Sequence, residues 1–172
     1  LTERFLKIIS GETDRMVALI NDLLDLSRIE SGKQPLKLGP VDIKEIFDDT
    51  IMILQSNADA KNMTVQNLIY DPVIVEGDEK LLKQVAINLV DNAIKYTPEG
   101  GTVTVEAIKS PDEVEIIVSD NGVGIPAQHL DRVFERFYRV DKGRARNMGG
   151  TGLGLSIVKD LVDKHKGSIC AE

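Results

Sequence analysis

Residues 149–156 read GGTGLGLS and run directly into an apolar-periodic segment that reaches about His165. A glycine-rich turn therefore opens a helix. Backbone N–H groups and the positive end of the helix dipole point out of such a turn, and glycines leave room for an anion to approach. The run constrains the fold mainly by what it lacks. It does not end in the GK[ST] of a P-loop, and the hairpin before it is not the strand that a dinucleotide-binding fingerprint requires. Both familiar nucleotide folds are disfavoured, and a plain flexible helix start is the alternative.

A second glycine turn, DNGVGI, spans residues 120–125. Asp120 ends a hydrophobic strand, and Gly122 and Gly124 let the backbone turn sharply and a ligand come close. A carboxylate in that place can accept a hydrogen bond from an exocyclic amine such as that of adenine, although Asp-Asn-Gly is also ordinary turn chemistry. Between the two turns lies FERFYRVDKGRARNMGG, residues 134–150, with Arg136, Arg139, Lys142, Arg144 and Arg146. The chain as a whole carries a formal charge of −7 and has a pI near 4.9, which excludes a dedicated nucleic-acid binder. Against that background the segment is the local basic cluster a phosphate ligand would need. It reads as a lid over a polyphosphate, or else as a solvated loop.

The helix predicted over Asp78 to Tyr96 places Leu82, Val85, Ala86, Leu89 and Ala93 on one apolar face. Gln84, Asn88, Asp91, Asn92 and Lys95 fall on the opposite stripe at helical spacing. Asparagine is a poor helix former, so two of them one turn apart point to a task that outweighs propensity. Amide oxygens are hard ligands suited to Mg²⁺, and Lys95 adds a positive charge for phosphate. A merely solvated face is the competing reading.

The rest of the chain supplies a frame. Phe5, Ile9, Met16, Leu19, Leu23 and Leu26 repeat at three-four spacing, which predicts a long amphipathic helix whose stripe requires a partner helix or packing on the remainder of the chain. SGKQPLKLGPV, residues 31–41, breaks the period and predicts a linker, so the domains are 1–31, a linker at 32–41, and 42–172. Beyond the linker the patterns predict a helix from Asp42 to about Lys61, strands at Met63–Tyr70 and Val73–Glu76, and the helix Asp78–Tyr96. A hairpin of Thr102–Lys109 with Glu113–Ser119, a short helix over Ala127–Tyr138 and the last helix follow. This layout is an α+β sandwich with helices on one face of a mixed sheet. A content of 42% hydrophobic residues in 172 is ample for a core. The single Cys170 and the separated His129 and His165 give no disulfide and no metal-ligand spacing, which fits a reducing, cytoplasmic compartment. No apolar run approaches the roughly 20 residues that cross a bilayer, so no membrane contact is expected from this segment.

The order N88LVDNAIKYTP, D120NGVGIP, F134ERFYR, G149GTGLGLSIVK closely resembles the N, G1, F and G2 boxes of sensor histidine kinases. Residues 42–172 resemble the ATP-binding catalytic domain. Residues 2–31, with NDLLDLSRIESGK, resemble the second helix of the dimerisation and phosphoacceptor hairpin, and the phosphate-sensing and cell-wall-regulating kinases of Gram-positive bacteria are the most similar members.

The resemblance implies the two-layer sandwich shared with gyrase, Hsp90 and MutL, with ATP and Mg²⁺ as ligands. It implies that Asp120 holds the adenine amine, that Asn88 and Asn92 face Mg²⁺, and that Lys95 and Tyr96 line the nucleotide. Arg136 would neutralise phosphate charge near the transfer, and Gly152, Leu153 and Gly154 would offer backbone amides to the phosphates. Gly122, Gly124, Ile125, Phe137, Thr151 and Leu155 complete the implied nucleotide surroundings, and Phe134 and Phe137 are expected to anchor the lid to the core. The implied partners are a response regulator and a second kinase protomer, in a parent protein attached to a membrane. The family's acceptor histidine lies in an H-box that this sequence does not contain, so the acceptor is expected outside it. An ATP-hydrolysing clamp of the gyrase type is the alternative. That reaction needs a carboxylate to orient water one turn before the Mg²⁺-binding asparagine, and the position is occupied by Asn88.

Overall fold

The computed structural model describes residues 2–30, 35–140 and 150–172. They divide into two compact units, one of residues 36–124 with 164–166, the other of residues 1–35, 125–163 and 167–172.

The first of these is the α+β sandwich. Its elements are β1 (Gly39–Asp42), α2 (Ile43–Asp59), β2 (Thr64–Asn67), β3 (Ile74–Gly77), α3 (Glu79–Tyr96), β4 (Thr102–Lys109) and β5 (Val114–Asp120), α1 being the N-terminal helix of the other unit. β2 pairs parallel with β4, and β4 pairs antiparallel with β5, so the three-stranded sheet is mixed as expected. α2 begins where Asp42 turns extended and its carboxylate accepts from the Lys44 N–H at 3.0 Å, and α3 begins at Asp78 in the same way. α2 buries Ile43, Ile46, Phe47, Thr50, Leu54 and Ala58, one face at helical spacing. All of these but Thr50 meet Ala86, Val90 and Ile94 of α3 and Val103 and Val105 of β4 in one cluster. Burying a side chain of the size of Phe47 contributes roughly 1.5–3 kcal/mol.

Two differences from the sequence reading concern the boundaries. β1, which pairs antiparallel with β3 from Gly39↔Gly77 to Asp42↔Ile74, lies within the segment expected as linker and on to Asp42. Gly39 and Pro40 conceal it, since neither favours a strand and the pairing partner is distant in sequence. β2 is shorter than the expected Met63–Tyr70, β3 and β5 are shifted one residue toward the C-terminus, and β4 has the expected bounds.

The remaining unit holds α1 (Thr2–Glu30), a 3-10 turn (Ala127–Arg132) and α4 (Gly154–Lys164). The α-helix expected over Ala127–Tyr138 is replaced by that 3-10 turn and irregular backbone. None of the turn's residues is buried, so no packed face extends it, and Phe137 takes a left-handed φ of 61°. Along the stripe of α1, Phe5, Ile9, Met16, Ile20 and Leu23 are exposed, whereas Leu26 is buried. α4 buries Ile157, Val158 and Leu161. Among the described residues no helix is long and apolar enough to cross a membrane. Lys142, Arg144, Arg146 and Gly149 lie outside the described residues.

Candidate functional site

Asp120 is the last residue of β5 and stands opposite Val103 in the β4 register. Its Oδ1 accepts two hydrogen bonds, from the Gly122 N–H at 2.8 Å and from the Thr97 hydroxyl at 3.3 Å. Among the described residues no donor reaches Oδ2, and the side chain is exposed. One oxygen is thus held by the protein while the other is available to an incoming N–H donor, the arrangement that reads an exocyclic amine. Gly122 is required here by close approach. A Cβ on it would lie 2.6 Å from Asp120 Oδ1 and 2.7 Å from the Tyr96 carbonyl oxygen, so the backbone would have to move. Gly124 follows with φ +67°. Thr97, fully buried, escaped the sequence reading. Its KYTP context signals only the end of a helix, because the hydroxyl's partner is 23 residues away.

On α3 the buried set is Val85, Ala86, Val90, Ala93 and Ile94, and Asn88 and Asn92 lie half-buried beside it. Among the described residues no hydrogen bond or ion pair engages either amide. Their oxygens are hard and neutral, and a hard cation that keeps most of its ligands as water and phosphate needs only one or two such protein donors. Lys95 is not isolated, for its Nζ pairs with Asp91 at 2.5 Å. Tyr96 is partly exposed at the end of the same helix.

In the other unit, Gly152 adopts φ +77°, and a Cβ there would meet the Cα and C of Phe137 at 3.0 Å. The turn can be built only with glycine. Phe137 N–H donates to the Gly152 carbonyl at 2.8 Å. Phe137 is itself 59% exposed, so the expectation that it anchors the lid to the core is corrected: what ties it to the Gly152 turn is its backbone N–H. Thr151 Oγ1 donates to Asp22 of α1 at 2.6 Å and accepts from the Leu153 N–H at 3.2 Å. Leu153 is fully buried and Gly154 and Leu155 open α4, while Ile125 and Phe134 are half-buried.

The arginines differ. Arg136 Nη2 pairs with Asp160 at 3.2 Å. Arg139 has Nε and Nη2 buried without a hydrogen-bond partner. Sequence reasoning placed Arg139 in the basic cluster but singled out Arg136, since nothing in the pattern FERFYR separates a paired guanidinium from an unsatisfied one. Nearby, Arg132 bonds Glu135 at 3.1 Å and lies 4.2 Å from the centroid of the Tyr138 ring, whose hydroxyl is 2.6 Å from His129 Nδ1.

Comparison with known proteins agrees with these features. Residues 77–172 match the family "Histidine kinase-, DNA gyrase B-, and HSP90-like ATPase", and residues 1–32 match "His Kinase A (phospho-acceptor) domain". The mycobacterial sensor histidine kinase MprB is 34% identical, with a TM-score of 0.68 over 77% of this chain and 83% of that one. The chain belongs to the sensor histidine kinase family. Among curated histidine kinases, WalK of Bacillus subtilis (strain 168) is 38% identical over 100% of this chain. The chain spans only 28% of WalK's length. Full-length ShkA, solved in complex with AMPPNP, superposes with a TM-score of 0.81 at 28% identity over 98% of this chain and 35% of ShkA. The match over residues 77–172 agrees with the fold and covers all four boxes, the last of which begins at Gly149, outside the described residues.

Proposed function

We propose that this chain is the ATP-binding region of a sensor histidine kinase, which directs the γ-phosphoryl group of ATP to a histidine on an H-box helix. The observation that carries the reading is Asp120, with Oδ1 fixed by Thr97 and Gly122 and Oδ2 open to the adenine amine. Gly122 and Gly124 let the base approach, and the family resemblance assigns Tyr96 and Ile125 to the nucleotide as well. Gly152, Leu153, Gly154 and Leu155 offer backbone N–H groups to the phosphates, with Thr151 fixing the Leu153 amide and Phe137 fixing the Gly152 turn. Lys95 and Arg136 supply positive charge to the phosphates. Arg139 joins them here, because its unsatisfied buried donors suit an anion. The half-buried, unengaged amides of Asn88 and Asn92 suit Mg²⁺, which when bound to ATP supplies charge neutralisation at the phosphate oxygens. AMPPNP in ShkA, an ATP analogue by its chemistry, is consistent with this assignment.

Phosphotransfer is favoured over hydrolysis by Asn88. An amide cannot take a proton from an attacking water, whereas a histidine nitrogen attacks without a general base. The match of residues 1–32 to the phospho-acceptor domain family favours a second protomer as partner through α1 and a response regulator as the next acceptor, in a membrane-attached parent. The test is titration with Mg·ATP by calorimetry, followed by addition of a separate H-box hairpin and radiolabelled ATP. Binding, no label on this chain, and label on the hairpin are expected. Steady phosphate release without the hairpin, or label on His129 or His165, would overturn the reading.

A further inference from the structure

The segment joining α2 to β2 carries no residue assigned to the nucleotide, yet Lys61 within it reaches the end of the asparagine-bearing helix. Its Nζ donates to the carbonyl oxygens of Ile94 at 2.6 Å, Lys95 at 3.1 Å and Thr97 at 2.6 Å. The last carbonyls of a helix lack partners within it, and many helices resolve this with a glycine in left-handed geometry just beyond. α3 ends differently. Thr97 is extended at φ −86° and ψ 133°, and the next residue is Pro98, which has no N–H to give. That extended geometry sets the Thr97 hydroxyl against Asp120, and it leaves the carbonyls to be satisfied from elsewhere. Lys61 supplies the donors.

The same segment fixes the rest of the corner. Gly100 N–H donates to the Lys61 carbonyl at 2.9 Å, Thr64 N–H to the Gly101 carbonyl at 3.0 Å, and Asn62 Nδ2 to Glu99 Oε1 at 2.6 Å. Asn62 sits at φ 51°, a left-handed conformation that asparagine tolerates better than most residues. Residues 61–64 therefore hold residues 94–101 on one side, while Thr97 holds Asp120 and the Tyr96 carbonyl crowds Gly122 on the other.

We propose that Lys61 is a positioning residue for adenine recognition, acting through Thr97 to orient the Asp120 carboxylate without touching the nucleotide. This rests on the reading that Asp120 accepts the adenine amine. Removing the three donors leaves half-buried carbonyls unsatisfied, the corner relaxes, and Asp120 loses one of the two bonds that fix Oδ1.

The test compares ADP with IDP, which lacks the exocyclic amine, by calorimetry on the 172-residue chain, with amide NMR of the nucleotide-free protein. Lys61→Met is expected to lower the preference for ADP over IDP by about fivefold, the scale of one net hydrogen bond, and to shift the Gly122 amide resonance. Lys61→Arg, which keeps charge and donors, should restore part of both. Thr97→Val should lose the preference to a similar extent, and the double variant should lose no more than either single one, since both act on one path. Should Lys61→Met not fold, the Lys61→Arg and Thr97→Val pair carries the same comparison. An unchanged ADP:IDP ratio with an unmoved Gly122 amide, or additive losses in the double variant, would overturn the proposal while wild-type adenine preference persists. A wild-type chain indifferent to ADP and IDP would instead overturn the reading of Asp120, and this proposal with it.

Discussion

The two glycine turns look alike in sequence and are built on opposite principles. The turn at Gly122 is fixed by satisfied groups: Asp120 Oδ1 is bonded twice, and Asn121 Oδ1 accepts the Thr102 N–H at 2.8 Å. The turn at Gly152 combines φ +77° with a left-handed Phe137, and among the described residues it is tied by the Phe137–Gly152 backbone bond, the Thr151–Asp22 contact and the bond from the Leu153 N–H to Thr151 Oγ1. A base is a rigid object of constant shape, and a carboxylate fixed in advance reads it at little ordering cost. Phosphates change number and charge during transfer, and a glycine turn that opens a helix offers them backbone N–H groups. On the proposed reading, the first turn discriminates the base and the second handles charge.

The largest effect that would break this assignment is at Asp120. Asp120→Asn exchanges the open oxygen for an amide that can present N–H to N–H, and hydrogen bonds to charged groups contribute about 1.5–3 kcal/mol. ADP affinity should fall by roughly 10- to 100-fold, read by calorimetry, while IDP affinity changes much less. A loss confined to one charge on the basic stretch, such as Arg144→Ala, should be far smaller. Equal losses would mean that the first turn does not discriminate.

Gly152→Ala sharpens the second half. A left-handed L-residue costs about 1–2 kcal/mol, and the new Cβ meets Phe137 backbone at 3.0 Å. Affinity for ATP should drop by roughly 5- to 30-fold, with adenosine binding nearly unchanged. A parallel loss for adenosine would show that the two turns are not separable.

Arg139 and Arg136 give a difference of sign. Two buried guanidinium nitrogens without partners destabilise the nucleotide-free protein, so Arg139→Met should raise its melting temperature and shrink the further rise that ATP produces. Arg136→Met removes a pair with Asp160 and should lower the nucleotide-free value slightly, by the modest amount expected of a half-exposed ion pair. Melting both variants with and without ATP separates the two arginines.

What could be read in the sequence was whatever depends on local periodicity and on residue type at a turn. The asparagine stripe of α3, the hairpin of β4 and β5, and Asp42 and Asp78 as helix starts depend on neighbours within a few positions, and each is found where the pattern places it. β1 was hidden because its pairing with β3 is distant and its own residues include Gly39 and Pro40. The failure at Ala127–Tyr138 has the opposite cause: the residues tolerate a helix, but nothing is buried to hold one. In the site, Asp120 and the glycines were legible by type. Thr97, Lys61 and the pairing state of Arg136 against Arg139 were not, since each depends on a partner more than 20 residues away or on whether a donor is satisfied.

The smallest effect tests whether the rigid turn owes its geometry to the core beneath it. Thr50 is fully buried on the face of α2 that carries Phe47 and Leu54, and its hydroxyl has no hydrogen-bond partner. Valine has nearly the same shape and removes the unsatisfied group, so Thr50→Val should stabilise the protein by about 1 kcal/mol in denaturant unfolding. If Asp120 is oriented locally, by Thr97 and Gly122, the added core stability leaves the ADP:IDP preference where it was. A preference that rises with Thr50→Val would place the control of adenine reading in the packing of α2 on α3, and the contrast between a turn fixed by its own hydrogen bonds and one that is not would have to be redrawn.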